Sequence, residues 1–261
     1  MNIQLVFFDT IDSTNTEALR QARSGVGEGL CIVARQQTAG RGRHGRVWIS
    51  ENGAGLYFSI VLRPRIAPRL LPLITLMSGV AVYDTLKDFR LSPDIKWVND
   101  ILINERKISG ILAETTETDK GLAVIVGIGI NIRKSNFPPE IAAIATSIED
   151  ETSQSGNNAS SVPTPEQLAQ VLSNYLVHYY ELLEGGNSAK LISEWCRRST
   201  YASGKNVRII SGNEVIEGIT DGLEDIGALR LKKADGKIAI IHAGDVEQLR
   251  SNEYGKIGRA S

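Results

Sequence analysis

Up to about Gly204, strand-length apolar runs interleave with stretches of helical spacing; beyond it only short runs remain. Residues 4–8, Leu30–Ala34, Leu56–Leu62, Asp94–Val98, Ile101–Asn104, Lys107–Glu114 and Leu122–Ile132 read as strands, the last a continuous run of buried type. Asn104-Glu105-Arg106-Lys107 predicts a hairpin. Thr14-Asn15-Thr16-Glu17 reads as a capping box opening a helix to about Ala22. Arg69–Phe89 is apolar nearly all round, as in a buried helix. Thr164-Pro165-Glu166-Gln167 caps a further helix whose apolar face is Leu168, Val171, Leu172, Tyr175, Leu176, Tyr179 and Leu183, stopped by Gly185-Gly186. A short helix around Leu191–Cys196 follows. Asp150–Val162, rich in Ser, Asn and Gly, has no periodicity and predicts a flexible loop.

Five evenly spaced strands close the pattern: Val207–Ile210, Val215–Thr220, Ala228–Lys232, Lys237–His242 and Val246–Leu249. Turn signals at Gly212-Asn213, Asp225–Gly227 and Asp235-Gly236 separate them, which predicts a small barrel. The expected organisation is an α+β domain over 1–203, a small all-β domain over 204–250 and a tail over 251–261.

Composition narrows the setting. With 261 residues and 42% hydrophobic positions the core needs no covalent staple. Two cysteines without a CxxC, Cys31 and Cys196, predict inert thiols in a reducing, cytoplasmic setting. No run approaches the ~18 apolar residues of a membrane span, and Met1–Asp9 lacks a leader's basic start. In that setting the acceptor pattern Asn158-Ala159-Ser160 is empty. A net charge of −1 removes any global attraction to nucleic acid, so a basic site must be local.

One such site stands out. Arg35, Arg41, Arg43 and Arg46 occur with His44 and no acid, and Gly40, Gly42 and Gly45 alternate with them. Glycine lets backbone approach a ligand, arginine forks suit phosphate or carboxylate, and Trp48 offers a stacking face. A solvated basic loop or an RNA-binding element remain alternatives. Gly127-Ile128-Gly129 lies inside a strand, where glycine marks a close approach, and Asn131 shares Gly129's face. Lys107 alone reads as a turn lysine, and Asn99-Asp100 as turn chemistry with Asp100 a non-specific Mg²⁺ candidate. Walker A, GxSxG and HExxH patterns are absent, and the histidines His44, His178 and His242 are scattered.

Taken in order, Ser13-Thr14-Asn15, Gln37, GRGRHGRVW at Gly40–Trp48, KWVND at Lys96–Asp100, KISGIL at Lys107–Leu112 and GIGIN at Gly127–Asn131 resemble the biotin protein ligases, over nearly the whole chain. The arginine-glycine segment is the specific one; lipoate ligases share the fold without it. The resemblance implies a mixed sheet packed with helices, like the catalytic domain of class II aminoacyl-tRNA synthetases, followed by a small SH3-like barrel. It implies that ATP and Mg²⁺ activate biotin to biotinyl-5′-AMP, and that a lysine of a biotin carboxyl carrier domain then takes the biotin. By position, Ser13, Thr14, Asn15, Gln37 and Gly40–Arg43 meet biotin, with Gly127 and Gly129 leaving room for it. Arg41 and Arg43 order the loop, and Lys107 bridges carboxylate and phosphate. Arg46, Trp48, Asn99, Asp100 and Asn131 hold the nucleotide, with Arg43 and Lys107. Val98 stands where the family usually has proline, which leaves that turn less restricted. The chain begins on the catalytic domain, so no DNA-binding role and no membrane role are expected; the family often forms homodimers. The alternatives carried forward are a lipoate- or octanoate-type ligase and, in another class, a nucleic-acid-binding module. The loop itself, glycine-rich and self-repelling, is expected to move unless a ligand closes it.

Overall fold

The structure, a computed structural model, describes residues 1–154, 162–211 and 214–248. Alternation with period two sends neighbouring side chains to opposite sides of a sheet. In β2 (Leu30–Gln37), Cys31 and Val33 enter one core while Leu30 and Ile32 enter another. β3 (Gly55–Leu62) is buried at every position, so it is covered on both faces. With β1 (Gln4–Ile11), β4 (Asp94–Lys96), β5 (Asp100–Ile103), β6 (Arg106–Thr118) and β7 (Gly121–Asn131) these strands form one sheet, in the order β1-β2-β3-β7-β6-β5-β4. β1 runs parallel to β2 and the remaining pairs are antiparallel, giving the mixed sheet expected.

Helix α1 (Thr14–Arg23) covers one face, with Ala18 and Ala22 against Ile32, Val61 and Ile125. Helices α2 (Leu73–Asp88), α5 (Pro165–Glu184) and α6 (Ser188–Arg197) cover the other. The fully buried leucine, isoleucine, valine, phenylalanine and methionine side chains of β3 and α2 each contribute roughly 1.5–3 kcal/mol of transfer free energy. Leu168, Leu172, Leu176, Tyr179 and Leu183 of α5 are buried as predicted, and its capping box of Thr164 and Gln167 is formed. The hairpin joining β5 to β6 turns at Asn104 and Glu105, both at positive φ, as a two-residue turn of the primed type demands.

Three expectations need correction. Ser13, not Thr14, caps α1, accepting from the Thr16 amide, because the Thr14 amide and hydroxyl face Gln37. Residues 150–154 are not loop but the end of a helix, α4 (Ile148–Gln154), which follows a short α3 (Pro139–Ala142). Short sequences hide such helices because a single turn shows no periodicity. The five C-terminal strands exist as β8 (Ser203–Ser211), β9 (Glu214–Leu223), β10 (Leu229–Lys232), β11 (Ile238–Ile241) and β12 (Asp245–Gln248). Their order is β11-β10-β9-β8-β12, an antiparallel sheet whose two edges do not pair among the described residues, so hydrogen bonding closes no barrel. The apolar sides of this sheet, through Val207, Leu229 and Leu231, join the same core as α2.

Asn158-Ala159-Ser160, the Gly212-Asn213 turn, Leu249 and residues 251–261 lie outside the described residues, as does the remainder of Asp150–Val162 up to residue 161. Both thiols are free. Burial pushes Cys31 up to about 12, so it stays protonated and unreactive at neutral pH.

Candidate functional site

Every motif singled out above converges on one end of the seven-stranded sheet. The start of α1, the loop Gly40–Trp48, the Lys107 hairpin and the middle of β7 surround two adjoining cavities. The smaller, about 60 Å³, is lined by Ser13, Thr14, Asn15, Gln37, Arg41 and Gly127 among others. The larger, about 420 Å³, is lined by Arg46, Asp100, Asn131, Phe137, Ile144 and Asp245 among others. Gly42, Arg43, Trp48, Asn99 and Lys107 belong to both walls, so they form the partition. Gly40 lines neither; it is buried at the base of the loop, where the Trp48 amide donates to its carbonyl.

The small cavity rests on a continuous polar chain. Arg41 forks onto Glu114 at 3.0 and 2.7 Å, and Asn15 Nδ2 donates to the same carboxylate at 2.8 Å. That fixes the Asn15 amide so that its Oδ1 accepts from Ser59 Oγ at 2.6 Å. Thr14 Oγ1 lies 2.7 Å from Ser59 Oγ and 3.1 Å from Gln37 Oε1, and its single proton serves one of them. Gln37 Nε2 continues the chain to Ser50, which donates to the Trp48 carbonyl. Both ends of the arginine-glycine loop are therefore tied to the cavity floor.

The glycines of β7 permit close approaches, as glycine inside a strand predicts. A Cβ on Gly127 would stand 2.1 Å from Asn15 Oδ1, and one on Gly129 would stand 2.4 Å from the Trp48 indole. Gly110, paired with Gly129 across β6 and β7, also lies under the indole, 2.9 Å from where its Cβ would be. Gly127 and Gly129 both line the smaller cavity, and Asn15 and Trp48 stand where their Cβ atoms would otherwise project. Trp48 Nε1 is buried with no hydrogen-bond partner among the described residues, and Lys107 Nζ stands 5.6 Å from the ring centroid.

At the partition, Arg43 donates to Asn99 Oδ1 at 2.8 Å and Lys107 Nζ lies 2.6 Å from Asp100 Oδ1. The backbone between Trp97 and Val98, leading into Asn99, is cis. Asn131 Nδ2 donates to the Thr146 carbonyl at 2.9 Å. From β12, at the edge of the second sheet, Asp245 pairs with Arg46 and lies 3.8 Å from Arg43. Burial raises the Asp245 carboxyl, but the hydrogen bond and charge of Arg46, with Arg43 and His44, outweigh it and hold it below the ordinary carboxylate value.

The loop is thus not self-repelling in three dimensions. Arg35 meets Glu166, Arg41 meets Glu114, and Arg43 and Arg46 share Asp245, so each arginine is balanced by an acid distant in sequence. Sequence reasoning missed Ser50, Ser59, Glu114 and Asp245. Ser59 is a polar residue at the centre of an otherwise apolar strand, which was the available signal; Glu114 and Asp245 gave none, because surface carboxylates are common. Chemically, the partition presents one ammonium and one guanidinium between two cavities, an arrangement that gathers anionic groups from both sides. Among the described residues no group of three His, Cys, Asp or Glu side chains could hold a metal.

Known proteins align with these features. Residues 7–131 match the biotin/lipoate A/B protein ligase family and residues 202–248 the biotin protein ligase C-terminal domain. The chain is 35% identical, over 95% of its length and 74% of the relative's, to the bifunctional ligase/repressor BirA of Bacillus subtilis. It is 32% identical to the biotin–[acetyl-CoA-carboxylase] ligase of Paracoccus denitrificans, covering 90% of this chain and 96% of that one. Among solved structures, a biotin protein ligase from Aquifex aeolicus in complex with biotin and ATP superimposes with a TM-score of 0.76 at 28% identity, covering 95% and 99% of the two chains.

Proposed function

Because this chain belongs to the biotin protein ligases, we propose that it joins biotin to ATP at the partition between its two cavities and passes the activated biotin to a lysine of a carboxylase's biotin carrier domain. The observation that carries this reading is the placing of Lys107 and Arg43 where both cavities meet. The biotin head group takes the smaller cavity, against Ser13, Thr14, Asn15 and Gln37. The nucleotide takes the larger, against Arg46, Asn99 and Asn131, with Trp48 stacked on its base. The biotin carboxylate then attacks the α-phosphorus, the bond to the bridging oxygen breaks, and pyrophosphate leaves. Lys107 and Arg43 hold the two anions together and offset the charge that builds on the phosphoryl oxygens. In the second step the carrier's lysine attacks the acyl carbon of the mixed anhydride and AMP departs. Both nucleophiles come from substrates, in keeping with a site of cations and amides.

A magnesium ion keeps most of its waters and needs one or two carboxylates beside the phosphates. Asp100 fits that need: its Oδ1 is buried, faces Lys107 and meets no well-aligned hydrogen-bond donor among the described residues. Asp100 would hold the ion, which when bound neutralises phosphate charge. The smaller cavity, at about 60 Å³, is below the ~300 Å³ typical of ligand sites, so biotin enters only when Trp48 and the arginine-glycine loop shift. Arginines already balanced by acids suit a lid over a small acyl-adenylate better than a track for nucleic acid.

The test is pyrophosphate release with ATP, Mg²⁺ and biotin, followed by label transfer to a carrier domain. Release that depends on biotin, then carrier biotinylation, is expected. Release with lipoate or octanoate and none with biotin would move the chain to the lipoate-type ligases.

A further inference from the structure

Glu151 takes no part in either cavity, yet it joins three elements around Lys107. It lies on α4 and its side chain is 5% exposed. It accepts from Asn104 Nδ2 at 2.9 Å, from Arg106 at 2.8 Å and from Thr146 Oγ1 at 2.6 Å. Asn104 and Arg106 belong to the hairpin that presents Lys107. Thr146 belongs to the strip Ile144–Thr146, which bonds the lysine's own peptide: the Lys107 amide donates to Ile144 O at 2.7 Å, and Lys107 O accepts from the Thr146 amide at 2.9 Å. The same strip receives Asn131 Nδ2 and supplies Ile144 and Ala145 to the wall of the larger cavity.

We infer that Glu151 is a positioning residue: it pins the nucleotide-side wall to the Lys107 hairpin and so fixes where the ammonium stands. Three donors aimed at one buried carboxylate leave the hairpin tip and the strip little freedom to move apart. A polar turn residue, an arginine and a threonine from separate elements do not converge this way for core packing alone. Without the carboxylate, Arg106 and Thr146 lose their common acceptor, the backbone bracket at Lys107 loosens, and the ammonium drifts from the partition. A shift of about 1 Å in a positioning group can cost about a hundredfold in rate. The smaller cavity, on the far side of the partition, keeps its own polar chain from Arg41 to Ser50 and stays intact.

This inference rests on the proposed ligation and on Lys107 acting in it. The experiment measures biotin-dependent pyrophosphate release for the wild-type protein, Glu151→Ala, Glu151→Gln, Lys107→Ala and the double variant Glu151→Ala/Lys107→Ala. Glu151→Ala is expected to lower kcat about tenfold or more with the biotin KM within about twofold. Glu151→Gln, which keeps the volume and two acceptor lone-pair sites, recovers part of the loss. In the Lys107→Ala background the same alanine substitution adds little, because the two changes act through one group. An equal fold-loss in both backgrounds, or an unchanged kcat in folded Glu151→Ala, overturns the inference. If Glu151→Ala does not fold, Asn104→Gly, which tolerates the positive φ, and Thr146→Val each remove one donor and are read in the same cycle, with the same two outcomes. Failure of the ligation reading looks different: the wild-type protein itself then releases no pyrophosphate with biotin.

Discussion

The two cavities are built by different means. The smaller one is floored by regular structure, with the N-terminus of α1, the strands β3 and β7, and a polar chain whose members bond one another. The larger adds to its strand residues a set of walls from outside the main sheet: the strip around Ile144, Phe137 and Ile141, and Gly244–Glu247 at the edge of the second sheet, with the arginine-glycine loop shared between both cavities. A floor of strands and helix is preorganised and selective, whereas walls drawn from loops can part and close. The difference leaves the smaller side with a fixed floor under a movable loop and the larger side with more adaptable walls.

Lys107→Ala strikes the partition and so both sides at once. It is expected to lower adenylate formation by about 10²–10³, the scale of losing one preorganised charge donor, with little change in Tm. A full rate with folded protein would remove Lys107 from the chemistry. The two glycines of β7 separate the sides more finely. Gly129→Ala forces Trp48 away and should raise the KM for ATP about tenfold or more; Gly127→Ala forces Asn15 away and should raise the KM for biotin by a similar factor. Steady-state KM values for both substrates decide it, and identical effects of the two variants would dissolve the distinction. Asp245→Asn removes the acid shared by Arg43 and Arg46, a partly exposed pairing worth about 1 kcal/mol. A rise of a few-fold in the ATP KM, with biotin unaffected, is therefore expected. The smallest effect concerns pH. Because Asp245 is held below its ordinary value, its ion pair is fully present above that value and lost only as pH falls through the depressed one. The ATP KM in Asp245→Asn relative to wild type should therefore stay constant from pH 6 to 8, and a ratio that collapses within that range would contradict the lowered carboxyl.

Much of the smaller side was legible beforehand. The glycines within a strand announced a close approach, which Asn15 and Trp48 make, and Thr14, Asn15 and Gln37 were candidates through motif order. The larger side was not. Asp245 is 199 residues from Arg46, and a lone surface aspartate carries no signal until a second sheet swings it over the loop. The apparent charge repulsion within Gly40–Arg46 was misleading for the same reason: the acids that cancel it arrive from β6 and β12.

By itself the sequence determined the strands, the capped α5, the Lys107 hairpin and the residue types of the site, because propensity, period and turn chemistry act between near neighbours. Only the tertiary structure decided which acid meets which arginine, that Trp48 lies over Gly110 and Gly129, and that the C-terminal strands form a sheet whose edges do not pair with each other among the described residues. Those outcomes depend on contacts between segments far apart in the chain, whose pairing no local pattern encodes.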